Sequence, residues 1–400
     1  MSESLLGRIS DTRESSKLQA RKEVERLAKA EARKIAETGQ TFEYILGVWK
    51  KRHHGDEPLG KALLFSMGSQ SVSNSLGIHV AATGDGGYGK SDGIKKMGKL
   101  VYPDFWKNGG FTPQTLYYSG PDMLDGVIIG LEDIEWNSDL GVSVKRITTD
   151  FQEGALRVST IDMKGVEVRT AKRIAFWASC VDSQADEQIR DRFIMYNVKS
   201  DSERRKQILG HMKARDEGDQ DPEEDDFETM VCQTLTYDLK KKLFNVKIPF
   251  ATRIKFDGDP RAYGMFSDMI RASAAFSYEK REKDDAGRLI ATVEDFENAK
   301  SLYVEIGGHD RDKYTDSELK VLNAIVGNGG EATQADIQKG CNSLSSGRVS
   351  DILNGRGKQG HGLLYKCKDI IVDDSKRPIR YKLRSVNPKG NISIELGEPT

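Results

Sequence analysis

Residues 84–91 constrain what this chain can fold into more than any other segment. They read GDGGYGKS, a full match to the pattern G-x-x-x-x-G-K-[ST], between an apolar run at 77–82 and a helix-compatible stretch at 93–97. In such a strand–loop–helix unit, small residues let successive backbone N–H groups turn inward as an anion nest, and the positive end of the helix faces the same point. The pattern therefore predicts a loop that binds nucleotide phosphates.

The positions of this loop have distinct expected roles. The Lys90 ammonium is expected to reach the β- and γ-phosphates, and the Ser91 hydroxyl is expected to hold Mg²⁺. We therefore predict ATP and Mg²⁺ as cofactors. The residues expected to surround the nucleotide are Gly84, Asp85, Gly86, Gly87, Tyr88, Gly89, Lys90, Ser91 and Asp92.

Charge and cysteine content limit the class of protein. With 61 Lys and Arg against 62 Asp and Glu, no overall field indicates a nucleic-acid or membrane partner. The four cysteines are widely spaced and form no CxxC pair, which favours reduced, buried thiols and a cytoplasmic protein. No run approaches the roughly 18 apolar residues of a membrane-spanning helix, so no membrane partner is expected.

Hydrophobic patterning predicts an α/β core over residues 41–200, preceded by an amphipathic helix within residues 1–40. Predicted helices at 41–52 and 59–76 lead into a strand at 78–82. Short apolar runs suited to buried parallel strands follow at 116–118, 126–131 and 174–178. Residues 201–310 are expected to form a helical segment with an exposed acidic loop at 216–226 and helices at 262–280 and 292–306.

Two carboxylates close the apolar run at 127–131. Hydrolysis of ATP needs an acidic residue at a strand end to hold Mg²⁺ and polarise water. We assign Glu132 to the magnesium and water shell and Asp133 to the general-base or water-orienting position. The usual order is Asp then Glu, so the two roles could be exchanged. Ser179, at the end of the next predicted strand, either orients the attacking water or simply caps the strand.

Residues 186–193 read DEQIRDRF and resemble the segment that carries the arginine finger of ring-forming AAA+ ATPases. In those rings a guanidinium from one subunit reaches the γ-phosphate bound by the next. By this resemblance Arg192 is the finger, with Arg190 as the fallback. A surface ion pair with Asp191 is the competing interpretation.

Residues 150–173 resemble the helix and pre-sensor-1 β-hairpin of the minichromosome maintenance (MCM) helicases, which belong to the AAA+ class. The resemblance implies hairpin arms at 157–160 and 166–169 with Lys164-Gly165 at the tip, where Lys164 would face a central channel and contact a DNA phosphate. Alternating strands around a glycine turn are also what the residues themselves predict. Arg261, at the start of a predicted helix, stands where the second sensor arginine of the family would reach the nucleotide.

The likeness to MCM proteins spans about residues 41–310 and includes departures. No counterpart of the MCM amino-terminal half precedes the core, the acidic pair is inverted, and Ser179 replaces the usual Asn at the first sensor. The chain is thus most similar to a compact MCM-like AAA+ protein of the mobile-element type. The implied fold is an α/β P-loop AAA+ core with an α-helical lid.

The carboxyl-terminal part, residues 311–388, has a different pattern, followed by a loose tail at 389–400. Helices at 316–326, 333–339 and 345–353 precede strand-like runs at 363–367 and 380–383, the order of a winged helix-turn-helix. Residues 339–384 carry 11 basic and four acidic side chains. This segment either binds duplex DNA or makes regulatory protein contacts. The residues expected to contact DNA are Arg348, Arg356, Lys358, Arg377 and Arg380.

These features predict an ATP-driven motor that assembles as a homo-hexamer or other ring and moves DNA, as an MCM-like replicative helicase or translocase of a mobile element. The alternative is an AAA+ replication initiator or helicase loader, in which ATP sets conformation and turnover is slow. The predicted hairpin with Lys164 favours the motor, whereas the short segment before the core favours the loader.

Overall fold

The computed structural model describes two compact units of the chain. One comprises Met1–Ile254, Asp259–Ile306 and Glu398–Thr400, and the other comprises Lys255–Gly258 and Gly307–Gly397. No helix in the described part of the chain has both the length and the apolar composition that a membrane span needs. The described residues are 3–84, 89–119, 122–136, 138–161, 164–180, 189, 192–198, 206, 209–210, 212–213, 217, 226–256, 259–306, 316–341, 344–355, 362–367, 370–375, 377–383 and 394–398.

The centre of the first unit is a five-stranded parallel sheet in the order β2-β3-β6-β1-β7. Its strands are β1 (His79–Thr83), β2 (Trp106–Asn108), β3 (Ile128–Leu131), β6 (Ala175–Ser179) and β7 (Phe193–Asn197). The strands predicted at 78–82, 126–131 and 174–178 are confirmed with shifts of one or two residues at their ends. Strands β2 and β7 were not predicted. Strand β6 lies between β1, which leads into the phosphate loop, and β3, which leads into the acidic pair.

Among the described residues, three helices precede β1, and a fourth follows the phosphate loop. Helix α1 (Glu3–Thr38) is followed by α2 (Thr41–Arg52) and α3 (Glu57–Ser69), and after the loop comes α4 (Lys90–Leu100). The predicted helix at 41–52 is confirmed at both ends, whereas the one predicted at 59–76 ends earlier, at Ser69. Ser69 and the next residues turn toward the sheet, with the Ser69 hydroxyl accepting a hydrogen bond from the Ile78 backbone N–H at 3.1 Å.

The strand predicted at 116–118 is wrong, because these residues belong to helix α5 (Pro113–Tyr118). Pro113 occupies the first helical turn, where its missing N–H costs nothing. Thr112 caps the helix by accepting a hydrogen bond from the Thr115 backbone N–H at 3.2 Å. These two local signals outweigh the strand preference of Leu116 and the two tyrosines that follow.

A buried clamp holds the starts of β3 and β6 together. The Gln70 amide donates to the Val127 carbonyl at 2.9 Å and to the Arg173 carbonyl at 2.6 Å. The Lys240 ammonium donates to the Gly126 carbonyl at 2.8 Å and to the Gln70 side chain. Burial holds the pKa of Lys240 well below its usual value, with the charge of Arg173 adding to the effect. The clamp fixes the two strands whose far ends carry the acidic pair and Ser179.

An antiparallel hairpin follows α6 (Asp139–Thr149). Its strands are β4 (Leu156–Ile161) and β5 (Lys164–Arg169), so both predicted arms are confirmed as strands. Ile161 pairs with Lys164 and Thr160 with Gly165. Lys164 and Gly165 therefore belong to the returning strand, which Lys164 begins, and not to the tip as predicted. Positions 162–163 between the two strands lie outside the described residues.

The rest of the first unit is mainly helical. It contains α7 (Asp226–Lys240), β8 (Val246–Lys247), α8 (Pro260–Phe276), β10 (Leu289–Ile290) and α9 (Val293–Glu305). Strand β9 (Ile254–Phe256) spans the boundary in the chain, since Ile254 belongs to the first unit and Lys255 to the second. Asp259 caps α8 by accepting hydrogen bonds from the Arg261 and Ala262 backbone N–H groups, each at 2.8 Å. The acidic loop predicted at 216–226 lies outside the described residues except at positions 217 and 226.

The second unit combines helices with a three-stranded antiparallel sheet in the order β11-β13-β12. The elements are α10 (Asp316–Gly327), β11 (Glu331–Thr333), α11 (Gln334–Gly340), α12 (Ser346–Asn354), α13 (Leu363–Lys366), β12 (Ile370–Asp373), β13 (Arg380–Leu383) and β14 (Ile394–Leu396). The run predicted as a strand at 363–367 is instead the short helix α13, and the strand begins at Ile370. The predicted strand at 380–383 is confirmed.

Cysteine burial follows the prediction. All four thiols, Cys180, Cys232, Cys341 and Cys367, are free and buried. Burial raises the pKa of the Cys232 thiol to about 12, so it stays protonated and inert.

Candidate nucleotide-binding site

Glycines stand at both ends of the segment between β1 and α4, and both have a positive φ. Gly84 has φ of 122° and Gly89, the cap of α4, has φ of 88°, a region that side chains disfavour. A Cβ at Gly84 would lie 2.9 Å from the Val198 carbonyl oxygen, so a larger residue at this position would clash with the backbone of Val198. Asp85, Gly86, Gly87 and Tyr88 lie outside the described residues.

Lys90 is the first residue of α4 and only 6% exposed. Its ammonium donates a hydrogen bond to the Gly84 carbonyl, across the loop. The contact keeps the charge over the loop, where a β- or γ-phosphate would replace the carbonyl as partner. The phosphate-binding role of Lys90 stays a prediction with which this contact agrees.

Two functional side chains and one backbone N–H meet where the parallel strands end. The Ser91 and Ser179 hydroxyl oxygens are 2.9 Å apart, and the Ser179 hydroxyl accepts from the Asp133 backbone N–H at 3.4 Å. The Ser179 carbonyl accepts from the Ile134 N–H at 3.1 Å. This contact chain exists because β6 lies between β1 and β3. Ser179 thus joins the loop to the acidic turn, which is more than capping its own strand.

The two residues of the acidic pair contact different neighbours. The Glu132 carboxylate contacts the Lys95 ammonium of α4 at 2.8 Å and accepts from the Asn108 amide at 3.1 Å. The hydrogen bond from Lys95 is the main reason that the pKa of Glu132 is lowered, with Asn108 adding to it. Asp133 has a left-handed backbone with φ of 49°, a conformation that Asp tolerates better than most residues. Its backbone N–H lies on the Ser179 side.

The oxygen ligands available here suit Mg²⁺. This ion is usually held by one or two carboxylates or hydroxyls together with substrate phosphates. Ser91 offers a hydroxyl, and Glu132 offers an ionised carboxylate that would exchange Lys95 for the metal. Asp133 follows directly as a further carboxylate at the same sheet edge.

Arg192 lies at the amino-terminal ends of the parallel strands, opposite the ends that carry the phosphate loop. It directly precedes Phe193, which pairs with His79 at the start of β1. Burial lowers the pKa of His79 to about 3, and the nearby Arg192 charge contributes. From His79 to the loop at Gly84 is about 16 Å at about 3.3 Å per strand residue. Arg192 therefore cannot serve the phosphates held by its own chain's loop.

Arg261 lies beside Arg192. Both arginines line one cavity of about 430 Å³, together with His79 and the end of α6. The expectation that Arg261 reaches a nucleotide stays a prediction, and this position directs it away from the loop of its own chain. The sequence placed Arg192 and Arg261 in separate segments, and the fold brings them to one surface. Arg190 and Asp191 lie outside the described residues.

The expected DNA-contacting residues are only partly described. Arg348 is exposed on the first turn of α12, where its backbone N–H donates to the Ser345 cap at 3.3 Å. Arg377 is exposed, whereas Arg380 contacts Glu331 of the neighbouring strand at 2.9 Å. Arg356, Lys358 and the side chain of Lys164 lie outside the described residues.

The motif search missed the side chains that support the site. Lys95 and Asn108 hold Glu132, and His53 contacts Asp92, the residue after Ser91. Lys95 could have been found from its position five residues after Lys90 on the same helix. His53 and Asn108 carry no local signal, because only the packing of α2 and β2 against α4 and β3 brings them near.

The geometry of the loop, the parallel sheet and the acidic turn defines a P-loop domain. A family model described as the MTBMA_p00010 P-loop domain matches residues 24–242. The chain belongs to this family. Its α/β P-loop fold is that of a nucleotide-binding NTPase, and such domains generally bind their nucleotide with Mg²⁺.

A curated relative is similar to much of the chain. The chain is 23% identical over 289 residues to the uncharacterized protein MTBMA_p00010 of Methanothermobacter marburgensis. The match covers 70% of this chain and 34% of the relative. The chain thus spans about a third of that protein's length.

Proposed function

We propose that this protein is an ATP-hydrolysing AAA+ ring motor that acts on DNA, of the MCM-like type, with a homo-hexamer as the expected assembly. The observation that carries the proposal is the position of Arg192 and Arg261 together at the sheet edge opposite the loop. An arginine at this position is too far from the phosphates bound by its own chain to contact them. It could contact the phosphates bound by a neighbouring subunit. A ring supplies such a neighbour at every site.

The residues at the loop edge divide the chemistry of hydrolysis. Mg²⁺ held by Ser91 and Glu132 would neutralise charge on the β- and γ-phosphates. Asp133 accepts a proton from the attacking water, whose oxygen forms the new bond to the γ-phosphorus as the bond to ADP breaks. Ser179, one hydrogen bond from both Ser91 and the Asp133 backbone, is suited to orient that water. Arg192 of the neighbouring subunit stabilises the charge of the transition state.

The hairpin supports movement of DNA as the work done. Its two six-residue strands end in a connection of two positions beside Lys164. Val158 is 65% exposed and Val166 36% exposed, so these two apolar side chains of the hairpin are not buried in the domain core. Arg157 lies 5.4 Å from the centre of the Tyr117 ring and braces the base. A braced, projecting hairpin is suited to contact a strand in a channel.

The second unit supports a duplex-binding role. Its order of helix, strand, two helices, a short helix and two strands fits a winged helix-turn-helix, with α12 as the recognition helix. Arg348 on the exposed first turn of α12 is the strongest candidate for a DNA contact. Arg380 would have to exchange Glu331 for a phosphate, so we rank it below Arg348.

Two variants distinguish the roles of Glu132 and Asp133. We expect Glu132→Gln to bind nucleotide normally and to lose hydrolysis by about 10²-fold or more, because an amide cannot replace the carboxylate at Mg²⁺. The nest and Lys90 remain intact in this variant. Nucleotide affinity and phosphate release are measured side by side for Glu132→Gln and Asp133→Asn. Normal turnover by Glu132→Gln with loss in Asp133→Asn would reverse the two roles.

Strand displacement on a forked substrate tests the motor directly. We expect the protein to unwind the fork with ATP, and Lys164→Ala to retain basal turnover while losing stimulation by DNA and unwinding. Lys172→Ala, a nearby exposed lysine beyond the hairpin, is the matched control and should unwind normally. Normal unwinding by Lys164→Ala would remove the role of this lysine. Slow turnover and duplex binding with no unwinding by the wild type would favour the initiator or loader.

A further inference from the structure

A buried histidine beside the phosphate loop connects three segments of the first unit. His53, at the end of α2, is 4% exposed. Its Nδ1 lies 3.0 Å from an Asp92 carboxylate oxygen on α4, and its Nε2 lies 3.1 Å from an Asp56 carboxylate oxygen before α3. The Tyr196 hydroxyl of β7 donates to the other Asp56 oxygen at 2.9 Å.

The two carboxylates determine the charge of His53. An ionised carboxylate only accepts hydrogen bonds, so both ring nitrogens must donate. His53 is therefore an imidazolium between two anions. One of these anions, Asp92, directly follows Ser91 in the turn whose N–H groups face the phosphates.

Further bonds fasten the first turn of α4 to the end of α2. The Trp49 indole N–H donates to the Gly93 carbonyl at 2.9 Å, and the Lys96 ammonium donates to the Arg52 carbonyl at 2.6 Å. Lys96 also contacts Asp92 at 3.1 Å. A Cβ at Gly93 would lie 3.1 Å from His53 Nε2, so the ring packs directly against the helix backbone.

We propose that His53 is a positioning residue for nucleotide binding: its cation holds the first turn of α4 in place and offsets the charge of Asp92 beside the bound triphosphate. This inference rests on nucleotide binding by the loop. It goes beyond the motif, which assigns no role to the segment before α3. The chemical class of the ligand is a nucleoside triphosphate with Mg²⁺.

The charges around His53 set the direction of a pH effect. Burial alone would lower the pKa of His53, but the hydrogen bonds and charges of Asp56 and Asp92 outweigh it and raise the pKa above its ordinary value. The other groups near the cluster are Lys96 on α4, Tyr196 on β7 and the buried Arg52 on α2. Affinity for nucleotide should be full below the raised pKa and should fall as the pH rises through it.

The experiment measures the dissociation constant of a non-hydrolysable ATP analogue with Mg²⁺ from about pH 6 to about pH 9, a range that spans the histidine titration. Wild type should weaken about tenfold across the step, the size of one charge-assisted contact. His53→Gln should bind about tenfold more weakly at low pH and show no step. The exposed neighbour His54 gives the matched control, and His54→Gln should follow the wild type.

A second variant, Asp56→Asn, tests the same proposal if His53→Gln folds poorly. Asp56→Asn keeps the size of the side chain and the left-handed backbone at φ of 52°, which Asn tolerates. Loss of one anion should move the step to lower pH, whereas a purely structural contact would not move it. A flat wild-type profile, or the same step in His53→Gln, overturns the inference. Absence of nucleotide binding by the wild type at every pH overturns nucleotide binding itself.

Discussion

Replacing Lys90 with alanine is expected to abolish ATP turnover. Lys90 is buried at the start of α4, where its ammonium donates a hydrogen bond to the Gly84 carbonyl. Its loss leaves the charge on the β- and γ-phosphates without its main protein counterion. We expect the rate of phosphate release to fall by about 10³-fold or more.

The same helix offers a control for this prediction. Lys99 is exposed in the last turn of α4, away from the phosphate-binding end. Lys99→Ala should keep turnover within about twofold of the wild type, because surface changes of this kind have small effects. Turnover by Lys90→Ala at the wild-type rate would mean that the loop is not the catalytic site.

Replacing Arg192 with alanine is expected to separate binding from hydrolysis. Because Arg192 lies at the edge of the sheet opposite the loop, an isolated subunit should bind ATP as tightly as the wild type does. Hydrolysis should fall by about 10³-fold or more, the scale typical of an arginine finger. Nucleotide affinity at low protein concentration and turnover at ring-forming concentration are the two measurements.

The neighbouring arginine provides the comparison. Arg190→Ala, changed in the same segment, should keep most of the activity. If Arg190→Ala loses hydrolysis and Arg192→Ala keeps it, the finger is Arg190. If Arg192→Ala weakens ATP binding by isolated subunits, the side chain acts within its own chain and the shared site is wrong.

The sequence predicted the parts of the fold that depend on local pattern. The apolar runs before Gly84 and before Glu132 were strands because each is buried on both faces of a parallel sheet. The prediction of a strand at 116–118 was wrong because Leu and Tyr are also common in strands. The cap Thr112 and Pro113 in the first turn, which precede this run, favour the helix. Strand β7 was missed because its start, Phe193, was interpreted as part of the arginine segment.

The residues of the candidate site are likewise of two kinds: those that a local sequence motif predicts and those that only the tertiary structure brings together. Lys90, Ser91, Glu132 and Asp133 belong to contiguous motifs, so spacing alone places them. Ser179 acquires its contacts from the order of strands, which no local pattern contains. The pairing of His53 with Asp92 joins residues 39 positions apart and depends on how α2 packs on α4. Such contacts follow from tertiary structure, and a single sequence gives no signal for them.

One measurement tests the central claim that each ATP site is shared between subunits. Lys90→Ala and Arg192→Ala proteins, each inactive alone, are mixed at several ratios and phosphate release is followed. A site formed by the loop of the Arg192→Ala subunit and the arginine of the Lys90→Ala subunit contains both required groups. We predict that turnover reappears and peaks near equal ratios. Intact mixed oligomers with no activity at any ratio would contradict the account.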